Sequence, residues 1–82
     1  MNKKKIETLM KVMYNVGFEI DEINVNDNFT YLYFYNNYDE LVMVGYCSIT
    51  KHYSLTFEFE NEIKHYSSKQ CKRIINYIQK NI

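Results

Sequence analysis

Several features that small proteins use for catalysis or stability are scarce in this sequence. Its 82 residues include two glycines and no proline, and it contains no glycine-rich phosphate loop, no nucleotide fingerprint and no G-x-S-x-G motif. Two cysteines are too few for a disulfide framework. No stretch approaches the roughly 20 apolar residues of a membrane span. These absences argue against an enzyme, a disulfide scaffold and a membrane-spanning helix.

The N-terminal segment opens with lysines, as a secretory signal does, but polar residues interrupt the apolar region that a signal requires. Glu7, Lys11 and Asn15 stand in that region, and no small-residue cleavage site follows. We therefore expect reduced thiols and a cytoplasmic location. The abundance of Asn, Lys, Ile and Tyr, whose codons are AT-rich, favours a low-GC bacterium or its phage as the source.

Charge is segregated along the chain, although it sums to zero. Residues 1–17 carry four lysines and one glutamate, a net charge of +3, and residues 63–82 carry five basic residues and no acid, a net charge of +5. The segment between them, 18–62, carries one lysine and nine acids, a net charge of −8. Such an arrangement can steer a charged partner at low ionic strength even when the net charge cannot.

Two helices are predicted, one near each end of the sequence. Apolar residues recur at helical spacing from about Lys3 to Val16, and Gly17 stands where a left-handed C-cap belongs. A second apolar stripe runs from Cys71 to Ile82, and Ser67 with Gln70 predicts a capping box before it. Each helix is expected to bury its apolar side and to expose its basic residues.

Between the helices the sequence alternates as an antiparallel sheet does. We predict four strands, at about 18–25, 29–35, 40–49 and 53–60. A bulge is expected at Asp21-Glu22, and residues 61–66 are compatible with either a longer fourth strand or a loop. The predicted fold class is α+β: a single domain, 1–82, forming a two-layer sandwich of order α-β-β-β-β-α. Its four-stranded antiparallel meander carries both helices on one face.

Loop length decides which strand residues share a face, because side chains alternate along a strand. A four-residue loop at 36–39 pairs Tyr35 with Glu40, and a three-residue loop at 50–52 then places Gly45 beside the covering ring of Phe57. The predicted inner face comprises Leu32, Phe34, Leu41, Met43, Cys47, Ile49, Tyr53, Leu55, Phe57 and Phe59. The predicted outer face comprises Phe29, Tyr31, Tyr33, Tyr35, Val42, Val44, Tyr46, Ser48, Ser54, Thr56, Glu58 and Glu60.

Candidate catalytic and metal-binding residues are few. Cys47 and Cys71 are the possible nucleophiles and His52 and His65 the possible bases, but both cysteines fall on predicted core stripes, where a thiol behaves as a small hydrophobe. The same four residues follow a C-x4-H-x12-H-x5-C pattern, which lacks the close ligand pairs of most zinc sites. We expect no catalysis, no metal and no cofactor.

The outer sheet face is the best candidate for a functional surface. Tyrosine is favoured at interfaces because it supplies a large contact area with a polar tip at little entropic cost. The predicted protein-binding site comprises Tyr31, Tyr33, Tyr35, Val42, Val44, Tyr46, Glu58 and Glu60. Its acidic margin suits a basic protein surface. A small inhibitor of a host protein, encoded by a phage or mobile element, is one form that such a module could take.

Two alternatives stay open at this stage. A nucleic-acid-binding protein could use a basic helix surface made of Lys64, Lys69, Lys72 and Arg73. The tyrosine face is less suited to that role, because a base-stacking sheet needs positive surroundings for the phosphates. A homodimer could instead pair two tyrosine faces sheet to sheet, and tyrosine could also serve merely as a strand former.

Overall fold

Two helices and five strands make up the chain, which the computed structural model describes from Met1 to Ile82. In chain order they are α1 (Lys3–Asn15), β1 (Glu19–Val25), β2 (Phe29–Tyr35), β3 (Leu41–Cys47), β4 (His52–Phe59), β5 (Glu62–Ser68) and α2 (Cys71–Asn81). The strands form one antiparallel sheet in sequence order. The predicted α+β class and meander are confirmed, whereas the prediction of four strands is wrong. No helix has the length and apolar character needed to cross a membrane.

Both ends of α1 are capped. The Asn2 side chain accepts a first-turn backbone N–H at 2.9 Å. At the other end Gly17 has a φ of 93°, so the predicted left-handed residue is confirmed. The backbone N–H groups of Gly17 and Phe18 donate to the carbonyls of Tyr14 and Met13, which is a Schellman motif. This motif turns Phe18 into the same buried cluster as Met13.

A bulge divides β1, as its sequence predicts. The register shifts between Ile20 and Glu22, so that Ile20 pairs with Phe34 and Ile23 pairs with Leu32. Both isoleucines therefore lie on the same side of the sheet despite their odd spacing.

The loop between β2 and β3 sets the register of the central strands. Asp39 has a φ of 58°, and the Asn36 side chain closes the loop: it accepts the Glu40 backbone N–H at 3.0 Å and donates to the Glu40 carboxylate at 2.9 Å. A turn followed by a left-handed residue makes a three-residue loop between Asn36 and Glu40. Tyr35 therefore pairs with Leu41 and not with Glu40.

This one-residue difference reverses the two faces of β3. Val42 and Val44 pair with Phe34 and Leu32 and are only 1% and 0% exposed. Tyr46 also turns inward and packs against the buried cluster. The β3 residues predicted as core lie on the other side of the sheet: Leu41, Met43 and Cys47. The predicted face assignment of β3 is wrong for this reason.

A second register difference restores the predicted faces of β4. Cys47 pairs with His52, which gives a four-residue loop at 48–51 with Lys51 in the left-handed region at φ 55°. Relative to the predicted registers, the two loops together shift the strand pairing by an even number of residues. The predicted inward and outward positions of β4 are therefore preserved. The inward residues predicted for β4 are buried, namely Tyr53, Leu55 and Phe57.

The fifth strand exists because Glu60 and Asn61 form a two-residue hairpin turn. Both have positive φ, 51° and 66°, as a type I′ turn requires, and Phe59 pairs with Glu62 across it. The sequence lacks the Asn-Gly or Asp-Gly signal that usually marks this turn. The sequence alone therefore does not distinguish strand from loop at residues 61–66.

The start of α2 differs from the predicted capping box. Ser67 lies within β5, and Gln70 is the N-cap without a side-chain hydrogen bond to the helix. The Ser68 hydroxyl accepts the Gln70 backbone N–H at 3.1 Å. The predicted box is wrong because the strand continues through Ser68 before the helix begins.

One buried cluster joins the helices to the sheet. It combines Leu9 and Met13 of α1 with Ile74 and Ile78 of α2, and it includes the inward residues of β2, β3 and β4. Each of these four helix residues is 0% exposed. The helices therefore bury their apolar stripes in the same cluster as the inward strand residues, as the helical spacing predicts.

We predict that Gly17→Ala lowers the free energy of unfolding by about 1–2 kcal/mol, the usual cost of a left-handed L-residue. No atom lies within 4 Å of the added Cβ, so the effect would come from backbone conformation alone. Urea unfolding measures it, with the exposed substitution Lys11→Ala as the control, which should stay within about 0.5 kcal/mol of wild type. A Gly17→Ala variant as stable as wild type would contradict the left-handed cap.

Candidate functional site

One side of the sheet lies opposite the buried cluster, and we call it the open face. The strand registers define it by the outward residues Glu19, Glu22, Asn24, Phe29, Tyr31, Tyr33, Tyr35, Leu41, Met43, Gly45, Cys47, His52, Ser54, Thr56, Glu58, Ile63, His65 and Ser67. None of the apolar residues in this set belongs to the buried cluster or packs against it. The open face is thus chemically separate from the core.

A row of aromatic rings runs along β2 on the open face. The rings of Phe29 and Tyr31 stack with centroids 5.8 Å apart and planes 8° apart, and Tyr33 continues the row 6.4 Å from Tyr31. The Tyr35 hydroxyl donates to the Glu19 carboxylate at 3.4 Å. Because β2 has a neighbouring strand on each side, the row lies over continuous sheet and the rings support one another.

Gly45 gives the Tyr31 ring room to lie across β3. The two residues are paired, and a Cβ on Gly45 would lie 3.1 Å from Tyr31 ring carbons and 2.8 Å from the Ser54 Oγ. Those distances are too short for an unshifted ring. An aromatic ring therefore does cover this glycine, as predicted, but the ring belongs to Tyr31 and not to Phe57.

A shallow apolar hollow lies beside the aromatic row. It has a volume of about 200 Å³, and its lining includes Tyr33, Leu41, Met43 and Ile63, with Glu58 among them. Leu41 is 57% exposed and Ile63 is 73% exposed. Apolar side chains this accessible are available to a partner at no cost to the core.

A second hollow, of about 210 Å³, contains Cys47 and His52, which face each other across β3 and β4. A hydrogen bond from the Thr50 side chain, together with its backbone, lowers the pKa of the Cys47 thiol below its ordinary value. The His52 Nδ1 lies 3.2 Å from the Thr50 carbonyl oxygen, so that nitrogen carries the proton when it donates to this carbonyl. The imidazole is thus oriented by Thr50 and not by the thiol.

The second cysteine, Cys71, lies in the first turn of α2. Burial raises the pKa of its thiol, and the charge of Lys5 and a hydrogen bond with Tyr53 act in the opposite direction. The Lys5 Nζ donates to the Tyr53 hydroxyl at 3.1 Å, which raises the pKa of Lys5. His65 is on the open face, with its Nδ1 3.0 Å from the Thr56 hydroxyl. The two cysteines and two histidines do not converge, and no group of three potential ligands comes together.

The residues predicted to bind protein are divided between the two sides of the sheet. Four lie on the open face: Tyr31, Tyr33, Tyr35 and Glu58. Their outward placement is confirmed. Val42 and Val44 are core residues, and the Tyr46 ring lies 4.6 Å from the buried Tyr53. Their predicted outward placement is wrong because the β2–β3 loop shifts β3 by one residue. Glu60 lies in the β4–β5 turn.

Sequence reasoning missed three apolar members of the open face, Leu41, Met43 and Ile63. The run 41–44 is apolar at every position, so alternation alone does not identify its inward residues. The only sequence signal for the register of β3 was Asp39, because aspartate tolerates a left-handed turn position. Ile63 was missed because β5 was not predicted.

The open face is acidic. Glu19 and Glu22 lie on β1, where they pair with Tyr35 and Tyr33 of β2, and Glu58 lies on β4. No lysine or arginine is among its residues. The helices instead carry a basic set, exposed to solvent: Lys3, Lys4, Lys11, Lys72, Arg73 and Lys80. The open face and the exposed surface of α2 therefore differ in the sign of their charge.

The basic residues of the nucleic-acid alternative lie around α2. Lys64 is in β5, Lys69 precedes the helix, and Lys72 and Arg73 are in its first turn; all are exposed. Of these four, Arg73 lines a cleft between β5 and α2. The structure therefore does not place all four in one pocket.

Comparison with protein-family models, curated proteins and solved structures finds no match to this chain. Function is therefore inferred from the surfaces of the molecule themselves.

We predict that iodoacetamide near neutral pH alkylates Cys47 at least about fivefold faster than Cys71. A lowered pKa gives Cys47 more thiolate, whereas burial suppresses the thiolate of Cys71. Mass spectrometry of the quenched reaction gives both rates. In urea the two rates should converge, and faster modification of native Cys71 would contradict the placement of both thiols.

Proposed function

We propose that this chain is a non-enzymatic protein-binding module that docks a basic protein surface on its open face. The observation that carries the proposal is a contiguous tyrosine-rich and apolar sheet face whose charged residues are all acids. Contiguous apolar surface on a small domain commonly marks an interaction site.

The proposal takes both helices to lie on the same side of the sheet, which leaves the other side free. Support comes from the buried cluster: Leu9 of α1 and Ile74 of α2 share it with inward strand residues such as Val44. Outward residues such as Tyr33 and Met43 have no part in it. A partner would therefore meet a surface already formed by the strands.

The rings and aliphatic side chains of this face suit a protein partner. Tyrosines supply contact area and hydroxyls for hydrogen bonds, and enrichment of such residues is typical of interface centres. Leu41 and Ile63 are more than half exposed, and covering each would gain roughly 1 kcal/mol. The shallow hollow between them offers a place for an apolar side chain of the partner.

Charge selects a basic partner. Glu19, Glu22 and Glu58 give the face three carboxylates without an opposing cation. Lysine or arginine residues around an apolar patch on the partner would complement them and speed association at low salt. Added salt should therefore slow association, since exposed charges are screened.

The same charges disfavour a sheet-to-sheet homodimer. Each copy would bring its carboxylates and no ammonium or guanidinium group to a two-fold interface, in which the same patch meets itself. Like charges across an interface oppose association. A partner of different sequence is favoured for this reason.

Inhibition of a host protein by a phage or mobile-element product is one use of such a module, and we propose action in the cytoplasm. Both cysteines are free, which suits a reducing compartment. A small domain that covers a basic site on another protein needs no catalytic group to block it.

The test compares two variants in affinity capture from the native host, with the captured partner purified and its affinity measured. Leu41→Lys/Ile63→Lys places two cations on the open face and should weaken binding at least about tenfold. Ile49→Lys is the control: it replaces one exposed apolar residue by lysine away from the open face, at a 69% exposed position in the β3–β4 loop, and it should keep wild-type affinity within about twofold.

Equal affinity of the partner for the double variant and for wild type would contradict the assignment of the open face as the binding site. Light scattering of the free chain tests the competing homodimer. A dimer dissociated by Leu41→Lys/Ile63→Lys, and not by Ile49→Lys, would assign the open face to self-association.

A further inference from the structure

A cleft between β5 and α2 lies on the side of the sheet that faces the helices. Its volume is about 450 Å³, and it is lined by Tyr66 of β5 and by Arg73, Asn76, Tyr77 and Lys80 of α2, with Asn81 at the helix end. Tyr66 pairs with the buried Leu55, which places it on the helix side and away from the open face.

Two parallel tyrosine rings form one wall of this cleft. The ring centroids of Tyr66 and Tyr77 are 4.4 Å apart and the ring planes differ by 12°. The Tyr77 ring also contacts Phe57 of the core, with centroids 6.1 Å apart. The pair is therefore anchored from below while both residues stay partly accessible. Fixed, partly exposed aromatic rings are the usual platform for stacking nucleic-acid bases.

Cations stand along the helix wall. Arg73 and Lys80 are seven residues apart, about 10.5 Å along the axis of α2, and the exposed Asn76 lies between them. Residues 63–82 contain five basic residues and no acid, so the neighbouring Lys72 adds to the same positive field. A guanidinium group binds phosphate oxygens with directed hydrogen bonds, and lysine adds charge.

We infer that this cleft binds single-stranded nucleic acid, with a base against the Tyr66–Tyr77 pair and the phosphate backbone along Arg73 and Lys80. A single strand fits better than a duplex because its bases are free to stack on protein rings. An acidic protein would satisfy the cations but would leave the ring pair unused. This site shares no residue with the open face, so the result of its test is independent of the proposed protein-binding function.

The experiment measures fluorescence anisotropy of a labelled oligothymidylate of about 15 nucleotides, a length that fills one small binding site. Arg73→Glu/Lys80→Glu should weaken binding at least about tenfold and reduce its salt dependence. Lys3→Glu/Lys4→Glu makes the same change of charge on exposed residues of α1, and it should change affinity by less than about threefold. Tyr66→Leu keeps an apolar side chain but removes the ring, and it should cost at least about fivefold with the salt dependence unchanged.

Equal losses from the two charge-reversal pairs would overturn the inference, because they would show diffuse attraction to the whole basic side. Tighter binding of a duplex of the same length, equal displacement by polyglutamate, or absence of binding at low salt would also overturn it. Arg73 and Lys80 are exposed, so their double variant keeps the core intact. It therefore tests nucleic-acid binding by the cleft even where Tyr66→Leu lowers stability.

Discussion

The left-handed backbone of Asp39 decides which side chains of β3 form the core. With Asp39 at φ 58° and the Asn36 side chain bonded to Glu40, Tyr35 pairs with Leu41 and not with Glu40. Val44 then lies against Leu32. Shifting a strand by one residue moves every side chain to the opposite face, so the composition of both the core and the open face depends on this loop.

Local features were predictable where one residue type satisfied one backbone requirement. Gly17 ended α1 because its φ is positive, and the odd spacing of Ile20 and Ile23 revealed the bulge. The faces of β2 and β4 followed from alternation. The face of β3 did not, because a run that is apolar at every position shows no alternation. The β2–β3 loop alone then decides which of its residues point inward. The turn at Glu60-Asn61 escaped prediction because neither residue is the glycine that usually permits such φ values.

The candidate site was predicted in part for the same reason. Its β2 tyrosines and Glu58 were identified because they lie on strands whose alternation is clear, whereas Leu41 and Ile63 depend on the loop and on the fifth strand. The resulting surface is tyrosine-rich, apolar and acidic, whereas the exposed charged residues of α2 are all basic. Two surfaces of opposite charge on one small domain can attract partners of different charge. The stacked Tyr66–Tyr77 pair gives the basic side a chemistry that charge alone does not supply.

The register of β3 is tested most directly by urea unfolding of Val44→Ala and Met43→Ala, neighbouring residues on opposite faces. Val44 is 0% exposed, and its truncation should cost about 2–3 kcal/mol through lost burial and the cavity it leaves. Met43 is only partly covered on the open face, and its truncation should cost less than about 1 kcal/mol. A larger loss for Met43→Ala than for Val44→Ala would place Met43 in the core and contradict the account of both faces.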